Sequence, residues 1–176
     1  MENEVPLEKL DDKTFRQAVI DYRERIFLVL LRYTRNREDA KDLTQEAFVK
    51  AYRSRSSFRG ESSIYTWLYK IAINQAINYK SRGRVSSLIS LEDTPELIEV
   101  SDPSGDILNK EMDDNVNLAI QKLPPRQRMV FVMRYFEDQP NAEIARILGI
   151  SEGAVKANYH QAIKKMRVEL ARYLKG

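Results

Sequence analysis

AEIARILGISEGAVKANYHQAIKKMR, Ala142 to Arg167, reads as a short helix, a tight turn and a longer helix. Ala145, Gly149 and Val155 stand four and six residues apart. A small residue lets two helices approach closely, a glycine permits a positive φ in the turn, and a buried aliphatic packs the second helix on the first. Ser151 is placed to cap the second helix. The helical period turns Val155, Tyr159, Ile163 and Met166 inward and leaves Glu152, Lys156, Asn158, His160, Gln161, Lys164 and Lys165 on exposed faces. Such groups suit phosphates and base edges in a major groove, where asparagine and glutamine pair bidentately with adenine. A basic amphipathic helix alone is more often a solvated face. The turn signature and the short helix before it shift the reading to a DNA-binding helix-turn-helix.

Working backwards, Leu123, Pro124 and Pro125 interrupt a helix that begins near Asp113, because proline cannot continue a helix interior and restrains the residue before it. Arg126 to Phe136 forms the next helix, and EDQPN turns the chain into AEIARILG. Further back, SRGRVSSLISLEDTPELIEVSDPSG, Ser81 to Gly105, has no sustained period and collects glycine, proline and serine. It reads as a linker. Phe15, Val19, Tyr22, Ile26, Val29, Leu30 and Tyr33 form an apolar stripe before it, and Asn36 to Asp39 marks a break. A second helix from about Asp39 to Arg53 buries Ala40, Leu43, Ala47, Phe48 and Ala51, with Asp39, Asp42 and Glu46 along a neighbouring polar strip. A serine-rich loop leads into IYTWLYKIAINQAINYKSR, a helix that mixes aromatics, bases and the asparagines Asn74 and Asn78. The expected fold is therefore all-α: two small helical domains, 1–85 and 113–176, joined by a flexible acidic linker, 86–112, and the chain is long enough for two small cores.

Charge follows the same division. The 29 Lys and Arg nearly balance the 26 Asp and Glu, so the pattern matters more than the total of +3. Lys50, Arg53, Arg55, Arg59, Lys70, Lys80, Arg82 and Arg84 face Glu61 alone, a block suited to a polyanion. Nine acids against Lys110 occupy Ser86 to Asn117. The tail is basic again. There is no cysteine, which excludes disulfides and thiolate zinc sites, and one histidine makes a histidine metal centre a poor reading. No apolar run approaches the roughly 20 residues of a membrane span, and the polar start lacks a signal peptide's pattern, so a cytoplasmic protein without membrane insertion is expected. No glycine-rich phosphate loop or nucleophile–base pair suggests catalysis, and no cofactor or metal is expected.

Three motifs in order make the reading specific. EDAKDLTQEAFVKAYRS, SSFRGESSIYTWLYKIAINQAINYKSR, and LPPRQRMVFVMRYFEDQPNAEIARILG with the helix after it resemble the successive regions of extracytoplasmic-function (ECF) sigma factors of bacterial RNA polymerase. This is the minimal group of the sigma-70 family, which keeps only the domains sigma2 and sigma4. The resemblance implies a non-enzymatic specificity subunit that directs core polymerase to promoters and assists DNA opening. It places Asp39, Asp42, Leu43, Gln45 and Glu46 on the β′ clamp helices and sigma4 on the β flap. It gives the loop with Phe58, Arg59, Gly60 and Glu61, and the helix with Tyr65, Trp67, Lys70, Asn74, Asn78, Lys80 and Arg82, to the promoter −10 element. It gives Ser151, Gly153, Lys156, Asn158, His160, Gln161 and Lys164 to the −35 element, and implies an anti-sigma factor as a further partner. Residue chemistry agrees in part: carboxylates pair with a basic partner, and aromatics among bases suit unstacked single strands. Trp67 fits core and DNA equally by its spacing with Ile64, Leu68 and Ile71. The sequence departs from the family at Asn158 and Gln161, often arginines there, and at Pro140, where a capping serine is frequent; Asn141 or Asp138 is left to cap. Two other readings compete: a stand-alone regulator that binds an operator, and a nuclease using Asp39, Asp42 and Glu46 with a divalent metal.

Overall fold

The computed structural model describes residues 10–86 and 115–173, with side chains throughout except those of residues 80–86. Among the described residues the regular structure is entirely helical: α1 (Asp12–Thr34), α2 (Arg37–Arg53), a 3-10 turn (Arg55–Ser57), α3 (Ile64–Ser86), α4 (115–121), α5 (Pro125–Tyr135), α6 (Asn141–Leu148) and α7 (Glu152–Tyr173). The linker expected over 86–112 lies outside the described residues apart from Ser86, which ends α3.

Local chemistry sets the boundaries. Asp11 caps α1, its carboxylate accepting the Thr14 N–H at 2.7 Å. That hydrogen bond, formed with the charged carboxylate, holds the Asp11 pKa below its ordinary value. The chain leaves α1 through Arg35 in the left-handed region at φ 56, and Asn36 then caps α2 by accepting the Asp39 N–H at 2.9 Å. This cap starts α2 at Arg37, two residues before the start read from the apolar period alone. The two-residue connection folds α2 back on α1, and α3 packs on both. Ile26, Leu30, Tyr33, Ala40, Leu43, Ala47, Leu68, Tyr69, Ile73 and Ala76 are buried between them.

In the second half Pro125 opens α5, where its missing N–H costs nothing and its fixed φ is already helical. The buried Arg128 reaches back from α5 to the C-terminal end of α4. Its Nε donates to the Ile120 carbonyl at 3.1 Å and its Nη2 to the Leu123 carbonyl at 3.1 Å, with further bonds to the Gln121 carbonyl and to Gln121 Oε1. Carbonyls at a helix end lack intrahelical partners, so one guanidinium closes this corner. Met129, Met133, Ile144, Ile147, Val155, Ala162 and Met166 fill the core.

The two halves do not stand apart. α3 packs on α5 and α6, α1 packs on α5, and the buried apolar residues of both halves form one contiguous cluster. Apolar periodicity reports what one helix buries and not which neighbour covers it, so this contact is not legible in the sequence.

Candidate nucleic-acid and polymerase interfaces

α7 is held by the turn before it. Gly149 ends α6 at φ 64, its N–H bonded to the Ala145 carbonyl, and Ser151 Oγ accepts the Ala154 N–H at 3.1 Å. Pro140 begins α6 without a side-chain cap, so neither Asn141 nor Asp138 takes that role; the Pro140 carbonyl instead receives the Glu143 and Ile144 N–H groups. Val155 and Met166 are buried as expected, Tyr159 and Ile163 half-buried, and Ala162, which the sequence reading left out, is fully buried among them. At 3.6 residues per turn, Gly153, Lys156, His160, Lys164 and Gln161 fall within an arc of about 140° on the side away from this core. All five are exposed. Asn158 stands off that arc, half-buried, and its Nδ2 donates to the Ala154 carbonyl at 2.7 Å. Lys165 bonds Gln127 Oε1 at 2.9 Å, which ties it to α5.

α3 separates its predicted residues into two faces. Trp67, Lys70, Asn74 and Asn78 fall on one helical stripe, with Lys70 and Asn78 exposed and the other two half-buried. Trp67 also takes the edge of Phe58 against its ring, centroids 5.3 Å apart, so it seats the loop in which Arg59, Gly60 and Glu61 are exposed. Gly60 has φ 70, a conformation that keeps the loop tight without Cβ strain. Tyr65, expected beside these residues, lies on the opposite side of α3 and faces the second half. Its hydroxyl accepts from Gln139 Nε2 at 3.1 Å, and the Arg25 guanidinium lies 4.8 Å from its ring centre. Burial raises the Tyr65 pKa, so it stays a neutral phenol. The side chains of Lys80 and Arg82 lie outside the described residues.

On α2, Asp42, Gln45 and Glu46 are exposed along one strip, whereas Leu43 is buried and supports the helix from inside. Asp39 is half-buried and accepts a hydrogen bond from the Tyr79 hydroxyl of α3 at 3.1 Å. Burial and that bond together raise the Tyr79 pKa. Val19, Phe27, Phe48 and Val49 supply the apolar part of a groove between α1 and α2 that Arg23, Glu24, Lys41 and the strip's own Asp42 and Gln45 also line. The sequence reading missed Val49 and Phe27; Val49, four residues from Gln45 and seven from Asp42, carried the helical signal that would have found it. Among the described residues no group of three His, Asp or Glu side chains stands together as a metal site.

The chain matches family models in two segments: sigma-70 region 2 over residues 18–85 and sigma-70 region 4 over residues 113–166. It is 35% identical over 165 residues to the ECF RNA polymerase sigma-E factor of Escherichia coli, covering 89% of this chain and 86% of that one. It is 34% identical over 161 residues to the RNA polymerase sigma-H factor of Pseudomonas aeruginosa, covering 86% and 83%. The chain belongs to the ECF sigma factors. It is a specificity subunit that directs RNA polymerase to promoters, not an enzyme in itself. The fold is also that of sigma factor RpoE in its complex with the anti-sigma factor NepR from Bartonella quintana. There the TM-score is 0.71 at 20% identity, over 90% of this chain and 98% of that one. CnrH, in complex with the cytosolic domain of CnrY, gives a TM-score of 0.65 at 20% identity over 92% and 90%. No helix among the described residues is long and apolar enough to cross a membrane.

Proposed function

We propose that this sigma factor divides its work among three surfaces. The α2 strip of Asp42, Gln45 and Glu46, with the groove it borders, docks on the β′ clamp helices of core polymerase; Leu43 and Asp39 hold the strip in place from the core and from Tyr79. A strip of acids beside exposed apolar surface matches a basic partner helix that also buries aliphatic side chains. The loop with Phe58, Arg59, Gly60 and Glu61, and the stripe of Trp67, Lys70, Asn74 and Asn78, take the opened −10 strand. Gly153, Lys156, His160, Gln161 and Lys164 enter the −35 major groove, with Ser151 at the phosphate-facing helix start. Asn158 supports the helix from its flank.

The observation that carries this reading is the exposed arc on α7, a single polar face of bases, imidazole and amide on a helix anchored by a capped glycine turn. The protein works in the cytoplasm, where promoter DNA and core polymerase are. The groove between α1 and α2 also offers a site to an anti-sigma factor, the kind of partner seen with RpoE.

The test is run-off transcription with purified core polymerase on a promoter library. New start sites that need both components, lost on Asp42→Lys with Glu46→Lys through failure to bind core, support the docking strip. Lys156→Ala with Gln161→Ala keeps core binding and loses dependence on the −35 sequence. A double variant that initiates as the parent does on every promoter refutes the assignment of α7.

A further inference from the structure

The loop between α2 and α3 is fastened at both ends. At its root the 3-10 turn carries Arg55, whose Nε donates to Asp12 Oδ1 in the first turn of α1 at 3.0 Å and whose Nη1 donates to the Tyr52 carbonyl at 2.9 Å. The same guanidinium lies 3.9 Å from the centre of the Tyr52 ring, and that ring meets the buried Phe15 of α1 edge-on, centroids 5.5 Å apart. Arg55 is thus joined to α1 twice, once by charge and once through Tyr52. Its own carbonyl accepts the Phe58 N–H at 3.2 Å, and the Ser57 N–H and Oγ both donate to the Ser54 carbonyl, at 2.9 and 2.6 Å. Phe58 in turn rests on Trp67 of α3. Ser63 closes the far end, its Oγ accepting the Thr66 N–H at 3.1 Å at the start of α3. Between these anchors Arg59, Gly60 and Glu61 stand exposed, so the tip sits where its two ends put it.

We propose that Arg55, with Asp12, is a positioning residue for −10 recognition: the pair clamps the root of the loop to α1 and so fixes the tip that meets the opened strand. This rests on the −10 assignment above. Composition alone groups Arg55 with the bases suited to a polyanion, yet its guanidinium is engaged by a carboxylate, a carbonyl and a ring, and its side chain is 33% exposed. Arg53 and Arg59, both exposed, are left to face phosphate.

A planar fork suits this place, since it bonds two acceptors at fixed angles while stacking on an aromatic face, which an ammonium cannot do. A loop held in its reading conformation for only part of the time has its apparent affinity for the preferred base reduced by that fraction. Contacts made elsewhere on the strand are unaffected, so the preference for that base over others narrows. Loss of an exposed ion pair shifts such an equilibrium by up to roughly fivefold, enough to tune base preference and too little to unfold the domain.

The test uses the full-length protein with core polymerase on templates that keep one −35 element and vary each −10 base singly, read by run-off transcription. Asp12→Asn and Arg55→Gln should each narrow the preference at the base read by the loop, by roughly two- to fivefold, with core affinity and −35 dependence unchanged. The double variant should lose no more than Arg55→Gln alone, because the two side chains act as one unit. Asp12→Glu, which keeps the carboxylate, should stay close to the parent. Were Arg55 a direct DNA contact, Asp12→Asn would keep the parent's preference; that result overturns the proposal, as does a double variant that loses the full product of the two single losses. Should Asp12→Asn lose helical circular dichroism, Arg55→Lys, which keeps the charge and leaves α1 intact, takes its place; it should narrow the preference likewise, and a lysine variant with the parent's preference overturns the proposal. Amide exchange at Phe58 separates the clamp from the assignment it rests on. Faster Phe58 exchange in Asp12→Asn, beside a −10 preference that Arg59→Ala leaves untouched, removes the −10 assignment and keeps the clamp. Parent exchange and parent preference in Asp12→Asn, with the preference altered in Arg59→Ala, does the reverse.

Discussion

Replacing Arg128 with methionine tests the corner between α4 and α5, since methionine keeps most of the stem volume and removes the guanidinium, which also lies 5.5 Å from the Tyr33 ring centre. Two of its bonds, to the carbonyls of Ile120 and Leu123, are buried. The Ile120 carbonyl keeps the Leu123 N–H at 3.1 Å as a second donor, so the Leu123 carbonyl is left worse off. Gln121 is half-buried, and water can take over part of its share. A hydrogen bond from a charged group contributes about 1.5–3 kcal/mol, and the two buried bonds at the low end of that range give a loss of about 3 kcal/mol. Relief of the buried charge argues for the low end. With a urea slope of about 2 kcal/mol/M, the unfolding midpoint should fall by about 1.5 M. Arg128→Lys, which cannot reach both carbonyls from one planar head, should recover only part of it. Equilibrium urea unfolding followed by circular dichroism reads both variants. A methionine variant within about 0.5 kcal/mol of the parent would show that the guanidinium is incidental to this corner.

Two more outcomes follow from the helix ends. Gly149→Ala meets no atom within 4 Å of the new Cβ, so its cost is the left-handed backbone alone, about 1–2 kcal/mol; Gly149→Asn should cost less, and a thermal melt showing no difference between alanine and the parent contradicts the turn geometry. The lowered Asp11 pKa means that its cap is fully present above the ordinary aspartate range and is lost as pH falls through the lowered value. The Thr14 amide resonance should therefore titrate below the ordinary aspartate pKa in the parent and lose that step in Asp11→Asn.

The sequence made the helix-turn-helix legible because its signals are local: Gly149, Ser151 and Val155 each act within two turns of their own position. The acidic strip on α2 was legible for the same reason. Tyr65 was grouped with Trp67 because aromatics and bases were counted along α3 without their angle; the two are two residues apart and so about 200° around the helix. Arg128 read as one base among many in α5, since nothing in the sequence marks which carbonyls a long side chain will reach. The joint between the halves was equally hidden. Glu137, Gln139, Thr66, Arg25 and Arg32 belong to no shared period, and it takes the packing of α6 on α3 and of α5 on α1 to bring them together.

α6 is eight residues long and lies between α3 on one side and α7 on the other. Only Arg146 of those eight is exposed; the rest are buried or half-buried. The segment that α7 packs on is thus also one of those through which the two halves meet. Changes there are pleiotropic: a substitution in α6 acts on both packings at once, through the same side chain. The seating of α7 and the contact between the halves cannot drift independently in this helix, whereas the exposed positions on α7's outer arc lie outside both packings.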